Sequence, residues 1–335
     1  MKLTWFLLLT LCLCCCNNKD NPDVSSIKID LKTERFEKDF FAIDSNHIAA
    51  GYPELLQKHP SFAENFLTTI LNADPRWRGD TLQTYLRGFS ASYRPVFDTA
   101  EKLFFDFSKY ERQIKTGLQY VKYYFPAYPV PSKIITYIGP LDGYGDILDK
   151  DAIIVGLHHH LGKNFSLYKT IWVQETYPDY ISSRFEPAYI SVNAMKNIVN
   201  DMYPEKQEEK TLVLQMVGAG KKLFLLQKFL PGVPEYMIIG YSEKQMKESY
   251  DHEAAIWDLF VQNNFLQTID NNIIKNYIGE SPKTQELGEA SPGNIGSFAG
   301  WQIVKKFMKK NPGITLQKLM NLDEEIIFQQ AKYKP

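Results

Sequence analysis

All four cysteines of the chain, Cys12, Cys14, Cys15 and Cys16, fall within its first sixteen residues, and residues 17–335 contain none. A long domain without cysteine cannot be a disulfide scaffold and cannot use thiolates for metal or redox chemistry. Its fold must rest on a buried apolar core, and a chain of this length has ample surface to bury. The same window indicates where the domain works. Lys2 gives a positive start, Leu3 to Leu13 is an apolar run too short to persist as a membrane-spanning helix, and Asn17-Asn18-Lys19-Asp20-Asn21 is wholly polar. A cysteine directly behind such a run marks a bacterial lipoprotein signal. The frame Leu13-Cys14-Cys15-Cys16 makes Cys16 the lipid-bearing first residue of the mature chain, with Cys15 as the alternative; a cysteine-rich but ordinary cleaved signal is the plainer reading. The organisation expected is a signal peptide over 1–15, a lipidated N-terminus and tether over 16–26, and one domain over 27–335. No later apolar run reaches the length of a second membrane span.

The 38 basic and 39 acidic residues nearly cancel, which leaves no basic face of the kind that binds nucleic acid. The apolar residues repeat mostly at helical spacing. Ile27 to Lys32 alternates apolar and charged residues and reads as a half-buried strand. Helices are expected from Phe36 to Ile43, from Phe62 to Leu71, from Leu82 to Phe89 and from Val96 to Tyr124, with Asp74-Pro75-Arg76 and Arg94-Pro95 as breaks. Lys133 to Ile138 and Ala152 to Leu157 are short and rich in β-branched residues, and they read as neighbouring strands joined by a glycine-rich loop. Beyond them come a helix opened by Pro187 and running to Met202, another over Leu212 to Leu230, and one started by a Ser242/Gln245 capping box and running past Trp257. Ser291-Pro292 reads as the start of a helix to Met308, and Asn321 with Glu324 as the cap of the last. The fold class is mainly α with a small β-sheet, an α+β domain.

Candidate chemistry is incomplete at every place it appears. His158, His159 and His160 follow the second strand of the pair, where at most two could converge on one metal, and a solvated strand end accounts for them. His252-Glu253-Ala254-Ala255-Ile256 begins like a zinc-peptidase helix but has Ile256 in place of the second histidine. Gly218-Ala219-Gly220-Lys221-Lys222 has the flavour of a phosphate loop, yet it lacks the required spacing and sits in an apolar helix, where small residues serve close packing. Glu175, Asp179 and Glu186 could supply acid–base groups and are equally ordinary surface carboxylates.

Several segments together resemble the gliding-motility lipoprotein GldB family. They are Phe36-Glu37-Lys38-Asp39-Phe40-Phe41, Val121 to Pro126 with Val130-Pro131, Ile153 to Leu157, Leu161-Gly162-Lys163, and above all Glu289 to Val304. The last is similar to the family's Ser-Pro-Gly-x-Ile-Gly…Gly-Trp-Gln-Ile-Val signature, and the resemblance runs from the signal peptide to Lys334. It implies a cell-envelope lipoprotein held by its N-terminal lipid, and the lack of an acidic residue after Cys16 favours the outer membrane, facing the periplasm. Its implied role is a non-enzymatic accessory of gliding motility and type IX secretion, with other envelope lipoproteins as partners and no cofactor or metal. The family is also distantly similar to predicted zinc-dependent proteases, which implies a degenerate peptidase-like architecture. Gln174 and Pro178 of Gln174-Glu175-Thr176-Tyr177-Pro178 would then stand where the histidine ligands should be, and neither can bind zinc. Two alternatives stay open, a zinc-dependent peptidase or other hydrolase with an unrecognised site, and a periplasmic protein binding peptide or glycan in an aromatic cleft. Gly296 and Gly300, four residues apart, would let a second helix approach closely, with Trp301, Ile303, Val304 and Phe307 in the core.

Overall fold

The computed structural model describes residues 21–204 and 210–335; the signal peptide and the lipid-acceptor frame at Cys15 and Cys16 lie outside the described residues. Helices dominate, and one small sheet lies among them, as the periodicity predicts. Strands β1 (Lys32–Arg35), β2 (Lys133–Tyr137), β3 (Ile147–Leu148) and β4 (Ala152–Gly156) are arranged in the order β1-β2-β4-β3. The pairs β1/β2 and β2/β4 are parallel, and β3 closes one edge antiparallel to β4. β4 is buried throughout and β2 nearly so, which suits the apolar, β-branched sequences of strands covered on both faces. The first strand starts later than the alternation at Ile27 suggests. Its ladder begins at Lys32, opposite Lys133, so the residues before it have no strand to pair with, although Ile29 and Leu31 are still buried.

One apolar cluster runs from Val24 to Tyr333. Its centre is the pairing of the Leu212–Phe229 helix with the Ile295–Lys310 helix, the most extensively packed pair among the described residues. The first is largely apolar around its circumference, and the second is buried without a break from Ile295 to Val304 before its lysine-rich end, as expected of helices enclosed by others. Their backbones meet at glycines. A Cβ on Gly300 would lie 1.7 Å from the Met216 carbonyl oxygen, and one on Gly220 would lie 2.3 Å from the Gly300 carbonyl.

Several boundaries differ from the sequence reading, each for a local reason. The stretch from Val96 to Tyr124 is two helices, Gly79–Leu103 and Ser108–Tyr124. Between them Arg35 Nη1 donates to the Phe104 carbonyl, and Asp106 Oδ1 accepts from the Ser108 N–H at 2.9 Å to start the second helix. The first of these helices runs straight through Pro95, with Leu86 buried before it and Val96 and Ala100 after it; packing outweighs the cost of an interior proline, about 3 kcal/mol. Ser242 and Gln245 do form both capping-box bonds, but their helix ends at Asp251 and a second one, Glu253–Gln262, follows. Ser291-Pro292 does not cap a helix. The helix starts at Ile295 behind a left-handed Asn294 (φ 57°), and Ser291 Oγ donates to the Thr284 carbonyl at 2.8 Å. The final helix, Glu324–Ala331, is capped by Asp323, whose side chain accepts from the Glu325 N–H, and not by Asn321.

Candidate functional site: a pinned loop and a tyrosine-lined cleft

Parallel strands end on a common edge, and loops beyond their C-terminal ends are where α/β sheets usually carry sites. Here β2 and β4 deliver the loop of residues 138–146 and the turn Leu157–His159 to the same place. The three histidines are not solvated: His158 and His160 are fully buried and His159 is 5% exposed. The turn carries them inward, because a buried loop needs a partner for every backbone polar group. His158 Nδ1 accepts from the Gly139 N–H at 3.1 Å, so its Nε2 carries the proton donated to the Tyr144 carbonyl at 2.9 Å. His159 Nε2 donates to the Leu141 carbonyl at 3.0 Å, and its ring stacks on Phe185. Both of these rings are neutral. Burial pushes His158 well below the ordinary histidine range, with His159 adding to it, and burial lowers His159 to about 4.

His160 is different. Its Nδ1 faces the Glu186 carbonyl at 3.1 Å and its Nε2 faces Asp146 Oδ2 at 2.8 Å, two acceptors, so both nitrogens are protonated. Burial alone would lower His160, and the Asp146 carboxylate outweighs it and raises the imidazolium above its ordinary value. Burial would likewise raise Asp146, yet His160, Asn193 Nδ2 and the Gly156 N–H hold it below the ordinary carboxylate value. Tyrosines complete the clamp. Tyr137 donates to the Tyr144 and Gly145 carbonyls, Tyr177 to Gly143, and Tyr93 accepts from the Leu141 N–H. The histidines are thus spent on holding this loop. Among the described residues no group of three or more His, Cys, Asp or Glu side chains is placed to hold a metal ion.

The other sequence candidates scatter. The Ile171–Thr176 helix stops two residues before Pro178, so Gln174 and Pro178 do not share a helical face, and Gln174 Nε2 donates to the Tyr168 carbonyl at 2.6 Å. Glu175 is exposed, Asp179 pairs with Lys169, and Glu186 Oε1 accepts from the Lys163 N–H. His252 is an exposed hinge between two helices, Glu253 accepts from the Tyr333 hydroxyl, and Ile256 is buried core. Gly220 makes the close helix contact described above, and buried Lys221 donates to the Leu322 carbonyl at 2.8 Å and to Glu324 at 2.7 Å, a strut to the last helix.

A cleft of about 490 Å³ opens on the far side of Glu186 and is one that the sequence reading missed. Its walls come from three distant stretches, 163–189, 236–245 and 280–294. Pro292, Gly293 and Asn294 line it, so the C-terminal signature divides into a cleft wall and, from Ile295 onward, core. The wall is fixed from behind. Tyr241 donates to the Gly293 and Asn294 carbonyls at 3.0 and 3.2 Å, and burial lifts its phenol well above the ordinary tyrosine value. A Cβ on Gly293 would lie 2.1 Å from the Ser281 carbonyl, so only glycine fits. Arg184 forks onto Glu280 with contacts of 3.0 and 2.9 Å, and its guanidinium lies against Gly240, where a left-handed φ of 86° and lack of a side chain make room. Burial would raise Glu280, but Arg184 outweighs it and holds the carboxyl below its ordinary value. Tyr180, Tyr189 and Tyr236 line the cleft half-buried, and their hydroxyls meet no hydrogen-bond partner among the described residues.

A family model described as gliding motility protein GldB matches residues 17–335. No curated protein and no solved structure matches the chain. No described helix is long and apolar enough to cross a membrane.

Proposed function

Because the chain belongs to the gliding motility protein GldB family, we propose that it is a lipid-anchored envelope protein that stabilises other components of a gliding or type IX secretion assembly without catalysing a reaction. The observation that carries this is the match itself, which spans nearly the whole chain. The GldB family is not a known enzyme family. The chemistry of the buried cluster agrees with such a role. Its three imidazoles are tied to the backbone of one loop or to Asp146, and a ring held in that way is not at the disposal of a substrate. Cys16 is the proposed lipid acceptor, and Asn17 behind it lacks the acidic side chain that would argue for retention at the inner membrane, which favours the outer membrane facing the periplasm. Partner lipoproteins would share that membrane.

A chromosomal deletion tests the reading. Loss of the protein should lower both the output of secreted proteins and the steady-state level of companion envelope lipoproteins, and re-expression should restore both. A deletion strain with normal secretion and normal lipoprotein levels would refute the accessory role.

A further inference from the structure

We propose that the cleft between Tyr189, Tyr236 and Pro292 binds an uncharged saccharide. The inference does not depend on the accessory role, and it starts from what the cleft leaves unspent. At about 490 Å³ it lies within the usual range for a small-ligand site, large enough for one or two sugar rings. Tyr180, Tyr189 and Tyr236 each present a half-buried ring with a hydroxyl that has no partner among the described residues. Such a side chain offers an apolar face and a polar tip at little cost in conformational entropy. Sugar rings need that combination, since their C–H faces pack on aromatic rings while their hydroxyl rims exchange hydrogen bonds. Asn294 adds a neutral donor: its Oδ1 accepts from the Gly279 N–H, and its Nδ2 remains unpaired among the described residues.

Charge argues against an ionic ligand. Lys163 and Arg184 face Glu186, Glu243 and Glu280, and Arg184 is consumed by its fork onto Glu280. An anion would meet more carboxylates than cations, and among the described residues no group of carboxylates is placed to hold a metal cation. The walls are also set in advance, because Tyr241 fixes Gly293 and Asn294 and the fork fixes Arg184. A preformed site loses less affinity to ordering. One recurring mode of peptide binding adds a strand to a sheet edge, and none of β1 to β4 contributes to this cleft. A proline-rich peptide in an aromatic groove is the remaining competitor.

The test uses the full-length protein in detergent, titrated with N,N′-diacetylchitobiose and with cellobiose and followed by calorimetry and saturation-transfer NMR. At least one disaccharide should bind, with saturation transferred to its ring protons and little change on raising the salt. Tyr189→Phe and Tyr236→Phe each delete one hydroxyl that has no partner in the free protein. Each should therefore leave the melting temperature unchanged and weaken binding about three- to tenfold, the usual worth of one hydrogen bond. Tyr189→Ala/Tyr236→Ala should abolish it. No binding of either disaccharide at roughly 10 mM, a level that detects even very weak complexes, would overturn the proposal. So would affinity unchanged in both phenylalanine variants, or tight binding of a proline-rich peptide alone.

Discussion

Gly300→Ala probes the joint on which the domain is built. The added Cβ would lie 1.7 Å from the Met216 carbonyl oxygen and 2.3 Å from its carbon. A carbon–oxygen contact relaxes only near 3.2–3.5 Å, close to the ordinary carbon separation. The obstacle is backbone in the middle of the facing helix, so no rotamer change relieves it and the helices must part by more than an ångström. Overpacking of that kind costs about 1–3 kcal/mol, with a backbone clash at the upper end. Alanine returns up to about 1 kcal/mol through its better helix propensity. The net is a loss of about 2 kcal/mol, or roughly 3 °C in melting temperature for a domain of this size. Gly218→Ala is the matched control. It lies in the facing helix, half-buried, and its Cβ would meet nothing within 4 Å. It carries the propensity gain alone and should stabilise by up to about 1 kcal/mol. Thermal and chemical denaturation of both variants should move in opposite directions. If Gly300→Ala is neutral or stabilising, the two helices do not meet at these glycines and the architecture described here is wrong. If it folds with normal stability yet fails to support partner lipoproteins, the Gly300 face is an interaction surface instead.

Cys16→Ser should abolish labelling by a palmitate analogue and release the protein from the membrane pellet; labelling that persists would move the lipid to Cys15. The buried histidines should make stability depend on pH in two opposed ways. His158 and His159 are depressed, so acidification from about 6.5 towards about 4 protonates the unfolded chain while the folded rings refuse the proton, and stability falls; His159→Phe should flatten that fall in melting experiments. His160 is raised, so its contribution is complete below the unfolded value of 6.5 and is lost as the pH climbs through its folded value. Asp146→Asn should remove this alkaline decline and lower stability most in the window between the folded values of Asp146 and His160, where both are charged, by about 3–5 kcal/mol for a broken buried pair. The purified protein should contain no stoichiometric zinc, and its melting temperature should be unmoved by a chelator; one tightly held equivalent lost on mutating His158 to His160 would restore the metallopeptidase alternative.

Much of the fold could be read from the residues because it rests on local rules. The apolar, β-branched runs at Ile134 and Ile153 do lie side by side, Ser242 and Gln245 close their capping box, and the four-residue spacing of Gly296 and Gly300 marks a helix face that another helix meets. The errors are tertiary. Between Leu103 and Ser108 only Asp106 gives a local sign of the break; the carbonyl freed at Phe104 is satisfied by Arg35, a residue 69 positions away. Pro95 stays helical because the packing of Val96 and Ala100 outweighs a propensity that a sequence window sees clearly.

The histidines and the cleft were hidden for a related reason. Three polar rings after a strand look like a wet strand end, since burying an imidazole is costly unless it is hydrogen-bonded. The bonds that offset the cost come from the carbonyls of the 139–146 loop and from Glu186, 26 residues beyond His160. Apart from the Asp146 carboxylate, that glycine-rich loop offers backbone rather than side chains, and backbone partners leave no mark in composition. The cleft is still less visible, because its tyrosines at 180, 189 and 236 follow no periodicity and meet only when three separate stretches converge. Its one local trace is Pro292-Gly293-Asn294, where glycine is required by the Ser281 carbonyl and a left-handed Asn294 opens the helix. The two halves of the signature therefore answer to different constraints. From Ile295 onward a residue must fit between helices, whereas at residues 292–294 it must shape a cleft without filling it. Substitutions from Ile295 onward should be read out as stability, whereas at residues 292–294 an effect on binding comes in addition to the backbone cost at Gly293 and Asn294.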